Sequence, residues 1–372
     1  MEPKIRFKGF EGGWKEERLS EISSSIASGK NIDHKGPYPL YGSTGIIGTT
    51  DKPYHEGPML LVARVGANAG FLQLVNEKCG VSDNTLIVKP KDPVTDNYLF
   101  QYFKFFNLNR FIYGSGQPLI TGGMLKKMPV RYGLKEERET LIDYFTSLDS
   151  QISASTSRLA SLKQMNAASL QAMFPQEGEA VPKIRFKGFE GEWKKVKLGK
   201  LFSERIENNV DGEMLSVTMN NGIIKAAENG RFDNSNSDKS KYKVVKVGDI
   251  AYNSMRMWQG ASGCSQYEGI VSPAYTVVVP NANIHSLFFA YLFKTIPMIN
   301  LFRLHSQGLT KDTWNLKYPA FSIIEVSYPE SKAEQQAIAT YFTSLDRQIS
   351  LQSQRLEKLK QIKSACLDKM FV

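Results

Sequence analysis

Two stretches decide the fold: Tyr144–Phe174, YFTSLDSQISASTSRLASLKQMNAASLQAMF, and Tyr341–Phe371, YFTSLDRQISLQSQRLEKLKQIKSACLDKMF. They agree at 18 of 31 positions, at an offset of 197 residues. In the first, Leu141, Phe145, Leu148, Ile152, Ser155, Leu159 and Leu162 step by four and three, the spacing of a heptad seam. Ile338, Phe342, Leu345, Ile349, Gln352, Leu356 and Leu359 repeat it in the same register. Each seam carries one polar residue, Ser155 or Gln352, at the same step, a register-setting device. Helices of ~35–40 residues are ~50–60 Å long. A single apolar stripe of that length needs a partner in water. Antiparallel pairing of the two copies is expected, with an approximate two-fold relation between the halves; two separate helices, each packed on its own domain, are the alternative. The second helix has a start signal in Ser331 and Glu334, a capping box after Pro329. The first has Leu134 and Glu137 there.

A second repeat lies outside the helices. Pro3–Trp14 (PKIRFKGFEGGW) and Pro182–Trp193 (PKIRFKGFEGEW) match at 11 of 12 positions, at an offset of 179. Their aromatics, Phe7, Phe10 and Trp14 with Phe186, Phe189 and Trp193, read as anchors for each body's first segment, a docking patch being the alternative. Between the strict blocks only a skeleton recurs, at an offset of 190. Val81-Ser82 returns as Val271-Ser272, Pro90 as Pro280, Phe103-Lys104 as Phe293-Lys294, and Lys127-x-Pro129 as Lys317-x-Pro319. Only six of the 24 positions from Val81 to Lys104 agree. The chain is thus a shared piece, a variable body and a long shared helix, repeated once.

The expected domains are 1–135, the helix 136–174, an exposed linker 175–181, a second body 182–330 and the helix 331–372. Each body reads as mixed α/β, in an α+β chain. Apolar strands are expected at Met59–Val65, Thr85–Val88, Val244–Val247 and Tyr275–Val279. Aromatic helices are expected at Asn97–Phe106 and Ser286–Ile296, with their rings in the core.

Composition excludes several classes. The 372 residues are 41% hydrophobic and 23% charged, a globular balance. No apolar run reaches the ~18 residues of a membrane span. Lys4, Arg6 and Lys8 open a polar start with no apolar signal core. Three scattered cysteines (Cys79, Cys264, Cys366) fit a reducing cytosol, and the four histidines lack metal-ligand spacing. A net charge of +10 suits a polyanion such as nucleic acid.

Catalytic signatures are missing. There is no GxxxxGK[ST] loop, no Asn-Pro-Pro-Tyr-like tetrapeptide and no motif-level Ser, His and acid set. Gly-rich Arg64–Gly70 reads as a turn after a strand. Recognition fares better, since base edges are read by Arg or Lys at guanine and Asn or Gln at adenine. The candidates in the first body are Ser43, Thr44, Arg64, Asn68, Asp83, Asn84, Gln117, Thr121 and Lys126. In the second they are Asn253, Ser254, Arg256, Trp258, Gln259, Ser306, Gln307 and Lys311. Any one of them alone reads more readily as a solvated loop residue; they stand out because they fall where the halves disagree. Lys104, Lys127, Lys294 and Lys317 recur in both copies and suit sequence-independent phosphate contacts. The alternative is a non-catalytic two-domain scaffold binding proteins or glycans on a coiled-coil spacer.

With these residues in hand, the chain resembles the specificity subunit of a bacterial type I restriction-modification system over its whole length. The resemblance rests on the KIRF-KGFEG-W blocks, the YFTSLD-x-QIS helices and Tyr242–Gly260 (YKVVKVGDIAYNSMRMWQG) followed by Gly269–Tyr275. In the first body it rests on Val62–Gly70, Val81–Asn84 and Ser115–Pro129. The resemblance implies two target-recognition domains spaced by antiparallel helices, each reading half of a bipartite double-stranded DNA site. It implies a non-catalytic subunit that binds no cofactor itself. Its partners would be two modification subunits using S-adenosylmethionine and restriction subunits using ATP and Mg2+. The first copy departs from the family pattern at Tyr132 and Glu137-Arg138, where the second keeps Pro329 and Glu334-Gln335.

Overall fold

The computed structural model describes residues 2–30, 35–111, 118–219, 221–229 and 238–372. The heptad spacing produces two long helices, Lys135–Ala172 of 38 residues and Lys332–Met370 of 39. The chain divides into two compact units, residues 1–157 with 353–372, and residues 158–352. Each unit therefore holds the start of one long helix and the end of the other.

In the first unit the seam residues Leu141, Phe145 and Leu148 are buried. The two helix segments run antiparallel there: Tyr144 meets Cys366 at 3.3 Å, and Asp149 pairs with Lys363. In the second unit the same register recurs, with Asn166 donating to Asp346 at 2.9 Å and Ser169 bonded to Tyr341 at 2.8 Å. Within each unit the antiparallel pairing expected from the seam is present.

The duplicated Pro-Lys-Ile-Arg-Phe blocks anchor these helices. Glu137, 1% exposed in the first turn of its helix, accepts Arg6 Nε at 2.6 Å and Arg6 Nη2 at 2.8 Å. It also accepts Trp14 Nε1 at 3.1 Å. Glu334 repeats the arrangement with Arg185 at 2.7 and 2.8 Å and Trp193 Nε1 at 3.3 Å. A buried carboxylate is tolerated when paired and fully hydrogen-bonded, and three donors meet that condition. Gly133 leaves the room, because a Cβ there would stand 2.0 Å from Glu137 Oε2. The capping box holds by half. Glu334 N donates to Ser331 Oγ at 3.4 Å, but the carboxylate turns to Arg185 and Trp193, a charge-assisted pair stronger than a cap.

The next helix position ties the body to the rod. Gln335 donates to Pro329 O at 2.9 Å and accepts from His285 N at 2.8 Å. In the first unit Arg138 occupies this place and pairs instead with Thr95 and Asp92, lying over the Tyr132 ring. The departure from Pro329 and Gln335 is thus compensated by an acceptor pair at the start of helix Pro93–Phe106.

Each body is α/β, built on a four-stranded antiparallel sheet. In the first unit the order is Ser23–Ser28, Thr85–Pro90, Met59–Ala63, Leu72–Val75. In the second it is Phe202–Glu204, Tyr275–Pro280, Ile250–Asn253, Ser262–Cys264. Met59–Ala63 is buried throughout, as a continuous apolar run requires, and Ile250, Ala251 and Tyr252 are buried while Asn253 is half-buried. The expected strand at Val244–Val247 lies instead at Lys243–Val245, leaving Val247 exposed. The aromatic helices pack on one face of each sheet. The first begins at Pro93, capped by Asp92, four residues before its expected start. The second, expected to reach Ile296, ends at Leu292, and a separate helix, Ile296–His305, follows at 82°. Pro297 explains the break: it has no N–H to donate, and the chain re-enters a helix with proline in its first turn. Phe371 completes the first core against Trp14, Tyr98 and Phe145, and Phe174 completes the second against Trp193, Phe288 and Phe342. Of the shared aromatics of the opening blocks, Trp14 and Trp193 are core anchors, with Phe7 on Tyr144 and Phe186 on Tyr341 packed against the same cores, while Phe10 and Phe189 are half-buried.

Glu334→Ala leaves Arg185 and the Trp193 N–H without their buried acceptor. Denaturation of the full chain should show a loss of ~3–5 kcal/mol, whereas Glu330→Ala, breaking the exposed pair with Lys194, should leave the stability almost unchanged. Equal losses for the two variants would contradict the anchoring role.

Candidate nucleic-acid interface

In both units the chain leaves the buried central strand through a single 3-10 turn, Gly66–Asn68 or Met257–Gln259, closed by Gly70 or Gly260. Backbone bonds then gather distant loops around that turn. In the first unit Arg64 N donates to Asn84 O at 3.0 Å, and Arg64 O accepts from Ile120 N at 2.8 Å. Ser43 Oγ reaches Asn84 O at 3.3 Å, bringing the Tyr38–Thr50 hairpin tip to the same place. Ser43, Arg64 and Asn84 therefore meet although they are far apart in sequence. Thr44, Asn68, Asp83 and Asn84 are exposed around them. Arg64 is half-buried, and its buried Nε has no hydrogen-bond acceptor among the described residues. Thr121 is occupied: its hydroxyl accepts Met124 N at 3.2 Å and caps helix Gly122–Lys127. Lys126 and Lys127 are exposed in that helix's last turn. Gln117 lies outside the described residues.

The second unit presents different chemistry on the same frame. Arg256 and Gln259 are exposed. Trp258 is half-buried, bonded to Met255 O at 3.1 Å and edge-on to Trp314 at 5.3 Å. Leu316 N donates to Ser254 O at 2.8 Å, joining the Gln307–Asn315 loop to this turn, and Gln307 and Lys311 stand exposed on it. Lys317 is exposed at the start of helix Tyr318–Ser322. Three candidates are taken up internally. Ser254 is buried and bonded to Thr276 Oγ1 at 2.8 Å, Ser306 Oγ donates to Phe302 O at 2.7 Å, and Asn253 Oδ1 accepts Met255 N at 3.0 Å.

Two of the four recurring lysines do structural work, against expectation. Lys294 donates to Met219 O at 2.9 Å and to Gly260 O, and burial pushes its pKa down to about 8. Lys104 lies over the Phe100 ring at 3.9 Å and pairs with Asp149 at 3.6 Å. Burial first, and Lys363 beside it, likewise lower its pKa to about 8. Between Gly70, Phe71, Phe103, Lys104 and Asn107 lies a cleft of about 350 Å³. Lys127 and Lys317 keep exposed ammonium groups suited to phosphate contact.

Sequence reasoning missed Asp149 and Asp346, the closing acids of the two YFTSLD blocks. Asp149 accepts Gln101 Nε2 at 3.1 Å as well as Lys363 and Lys104. Asp346 accepts Tyr291 OH at 2.8 Å and Asn166. Each ties the aromatic helix of a body to both long helices; their recurrence in the repeat was the available signal. Among the described residues no group of His, Cys, Asp or Glu is arranged to hold a metal ion, and no single helix is long and apolar enough to cross a membrane.

The family model described as type I restriction modification DNA specificity domain matches this chain twice, over residues 11–164 and 190–361. Over 159 residues the chain is 25% identical to the type I restriction enzyme EcoprrI specificity subunit of Escherichia coli, covering 40% of this chain and 40% of that subunit. Its fold matches the crystal structure of the type I restriction-modification system S subunit from M. genitalium with a TM-score of 0.67 and 15% identity, over 100% of this chain and 99% of the other.

A lysine titrating near 8 in the folded chain and near ~10.4 when unfolded makes stability rise with pH across that window, because there the unfolded chain holds the extra proton. Between pH 8 and 10, wild type should therefore gain stability relative to Lys294→Met, in denaturant titrations at each pH. A difference that does not vary with pH would contradict the buried assignment of Lys294.

Proposed function

The chain belongs to the type I restriction-modification DNA specificity family, and on that premise we propose that it is the non-catalytic DNA-reading subunit of such a complex. Each unit reads one half of a bipartite double-stranded site. The observation that carries this reading is one frame bearing two unlike surfaces. The strand, 3-10 turn and gathered loops recur, while one unit carries Arg64, Asn68 and Asn84 there and the other carries Arg256, Trp258 and Gln259. Arg suits guanine, and Asn or Gln suits adenine. A net charge of +10 supplies the sequence-independent share of affinity.

The long helices act as the spacer, placing half-site centres about one turn of DNA apart, ~34 Å or ~10 bp. Their exposed faces, which share Gln151 and Gln348, Arg158 and Arg355, and Lys163 and Lys360, receive two identical modification subunits. S-adenosylmethionine is used by those subunits, and ATP with Mg2+ by restriction subunits, while this chain holds no cofactor. Such an assembly works in the cytoplasm, next to the DNA.

Deleting one heptad from both helices should change the preferred gap in a selection on randomised spacings and leave both half-sites unchanged; an unchanged gap preference contradicts the spacer. Arg256→Ala should relax preference at one base pair by ~1–3 kcal/mol, while Lys127→Ala should weaken all sequences alike and lower the salt slope by about 1. Uniform weakening by Arg256→Ala, measured on a panel of single-base variants, would contradict its readout role.

A further inference from the structure

Each body carries a β-hairpin beside its sheet, and the two hairpins occupy one place in the fold although their sequences hide it. Tyr38–Gly42 and Gly45–Thr50 form the first, and Leu40 lies parallel to Gly80. Leu215–Thr218 and Gly222–Lys225 form the second, and Met214 bridges Ile270 in parallel. Gly80 and Ile270 stand at the common offset of 190, whereas Leu40 and Met214 stand 174 apart. No shared spacing couples the tips, so Ser43 and Thr44 stand as candidates at the first and none stands at the second.

Both hairpins are fastened to the strand that follows the 3-10 turn. In the first unit Gln73 Nε2 donates to Gly42 O at 2.8 Å. Gly263 stands at that place in the second, and a Cβ on it would lie 2.8 Å from Gly222 Cα, so the hairpin backbone itself comes down on the strand. Lys294 then joins the hairpin to the turn. Its ammonium donates to Met219 O at 2.9 Å and to the carbonyl of Gly260, the residue that closes the turn. Drawing an ammonium out of water costs free energy unless acceptors replace its hydration, and here each loop supplies one. Lys104, at the same place in the first unit, pairs with Asp149 instead, where Gln73 already holds the hairpin. The second tip is also locked from within: Thr218 Oγ1 accepts Asn221 N at 2.9 Å and donates to Gly222 O at 3.1 Å. Asn221 stands exposed on that tip, two residues from an acceptor of Lys294, and its side-chain amide has no hydrogen-bond partner among the described residues.

We infer that Asn221 reads an adenine edge in the second half-site, and that Lys294 is the positioning residue that holds it in step with Arg256 and Gln259. The inference rests on the DNA-reading function proposed above. A carboxamide offers an acceptor and a donor side by side, the complement of adenine N6 and N7 in the major groove, whereas a phosphate takes donors only. Leu215–Lys225 holds no carboxylate to repel a polyanion. A tip closed by its own threonine and clamped by a lysine is ordered before DNA arrives, which spares the ordering cost on binding.

The test uses the full chain assembled with its modification subunit, with binding measured on its mapped site and on every single-base variant of both half-sites. Asn221→Ala should lower discrimination about ten-fold at one A·T pair of the second half-site and leave every other position, and the melting temperature, unchanged. Lys294→Met should relax that pair together with those read from the turn, in the second half-site alone. Gly263→Ala, which drives a Cβ against Gly222, should relax the Asn221 pair from the other side of the hairpin. Full discrimination by Asn221→Ala at every pair overturns the readout, and so does uniform weakening across the panel, which would make Asn221 a phosphate contact. Loss of co-purification with the modification subunit by Asn221→Ala would make the tip a protein contact and overturn it equally. If Lys294→Met weakens all sequences alike, or alters no preference, the lysine is structural and its positioning role is overturned. Absence of any specific DNA binding by the wild-type assembly would instead remove the DNA-reading function itself.

Discussion

A carboxylate buried in the first turn of each long helix organises the unit around it. Glu137 and Glu334 are 1% exposed, and each is held by an arginine and a tryptophan from a repeated opening block. A buried charge that loses its partners is among the most destabilising changes a protein can suffer. The opening block, the helix start and the body between them are therefore obliged to meet in one arrangement. The near-identity of the two blocks, 11 of 12 residues, follows from this geometry: both must present the same Arg and Trp to the same acid.

A second pair of acids divides frame from reader. Asp149 and Asp346 lie in identical YFTSLD segments, yet their partners differ, Gln101 and Lys104 against Tyr291. The rod supplies a constant acceptor, and each body supplies whichever donor its own helix provides. The acid is thus kept while its donors vary, on the bodies and on the facing helix alike, where Lys363 stands at the position of Asn166. At the end of each central strand, most of the bonds that gather the loops join main-chain atoms, so those side chains are free to change. A protein that must keep one assembly while changing its target needs this division between fixed acceptor and free side chain.

Much of this was legible in the residues themselves. The heptad seam announced both helices, because apolar spacing of four and three has one structural solution in water. The buried central strands showed as the apolar runs Met59–Ala63 and Tyr275–Val279. The anchoring pairs were not legible: Arg6 and Glu137 lie 131 residues apart, and Arg185 and Glu334 149 apart. No local pattern couples them, and the Ser331–Glu334 spacing suggested a cap in their place. At the candidate interface, residue type alone separated readers from supports poorly. Thr121, Ser254 and Ser306 are polar because the backbone or a neighbouring hydroxyl needs them. Lys104 pairs with Asp149 and Lys294 holds the Met219 and Gly260 carbonyls, and the burial of the lysines themselves is invisible without a fold. The break before Pro297 follows from proline chemistry, although the aromatic run by itself predicts one helix to Ile296.

The central claim is that two unlike sensors on matching frames read two short sequences at a fixed spacing. Co-expression with the cognate modification subunit, followed by mapping of methylated adenines across a genome, tests it most directly. The account predicts methylation at two short, dissimilar motifs separated by a gap of constant length and variable sequence, with replacement of residues 15–132 altering one motif alone. Methylation at a single uninterrupted motif, or a replacement that alters both motifs together, would contradict it.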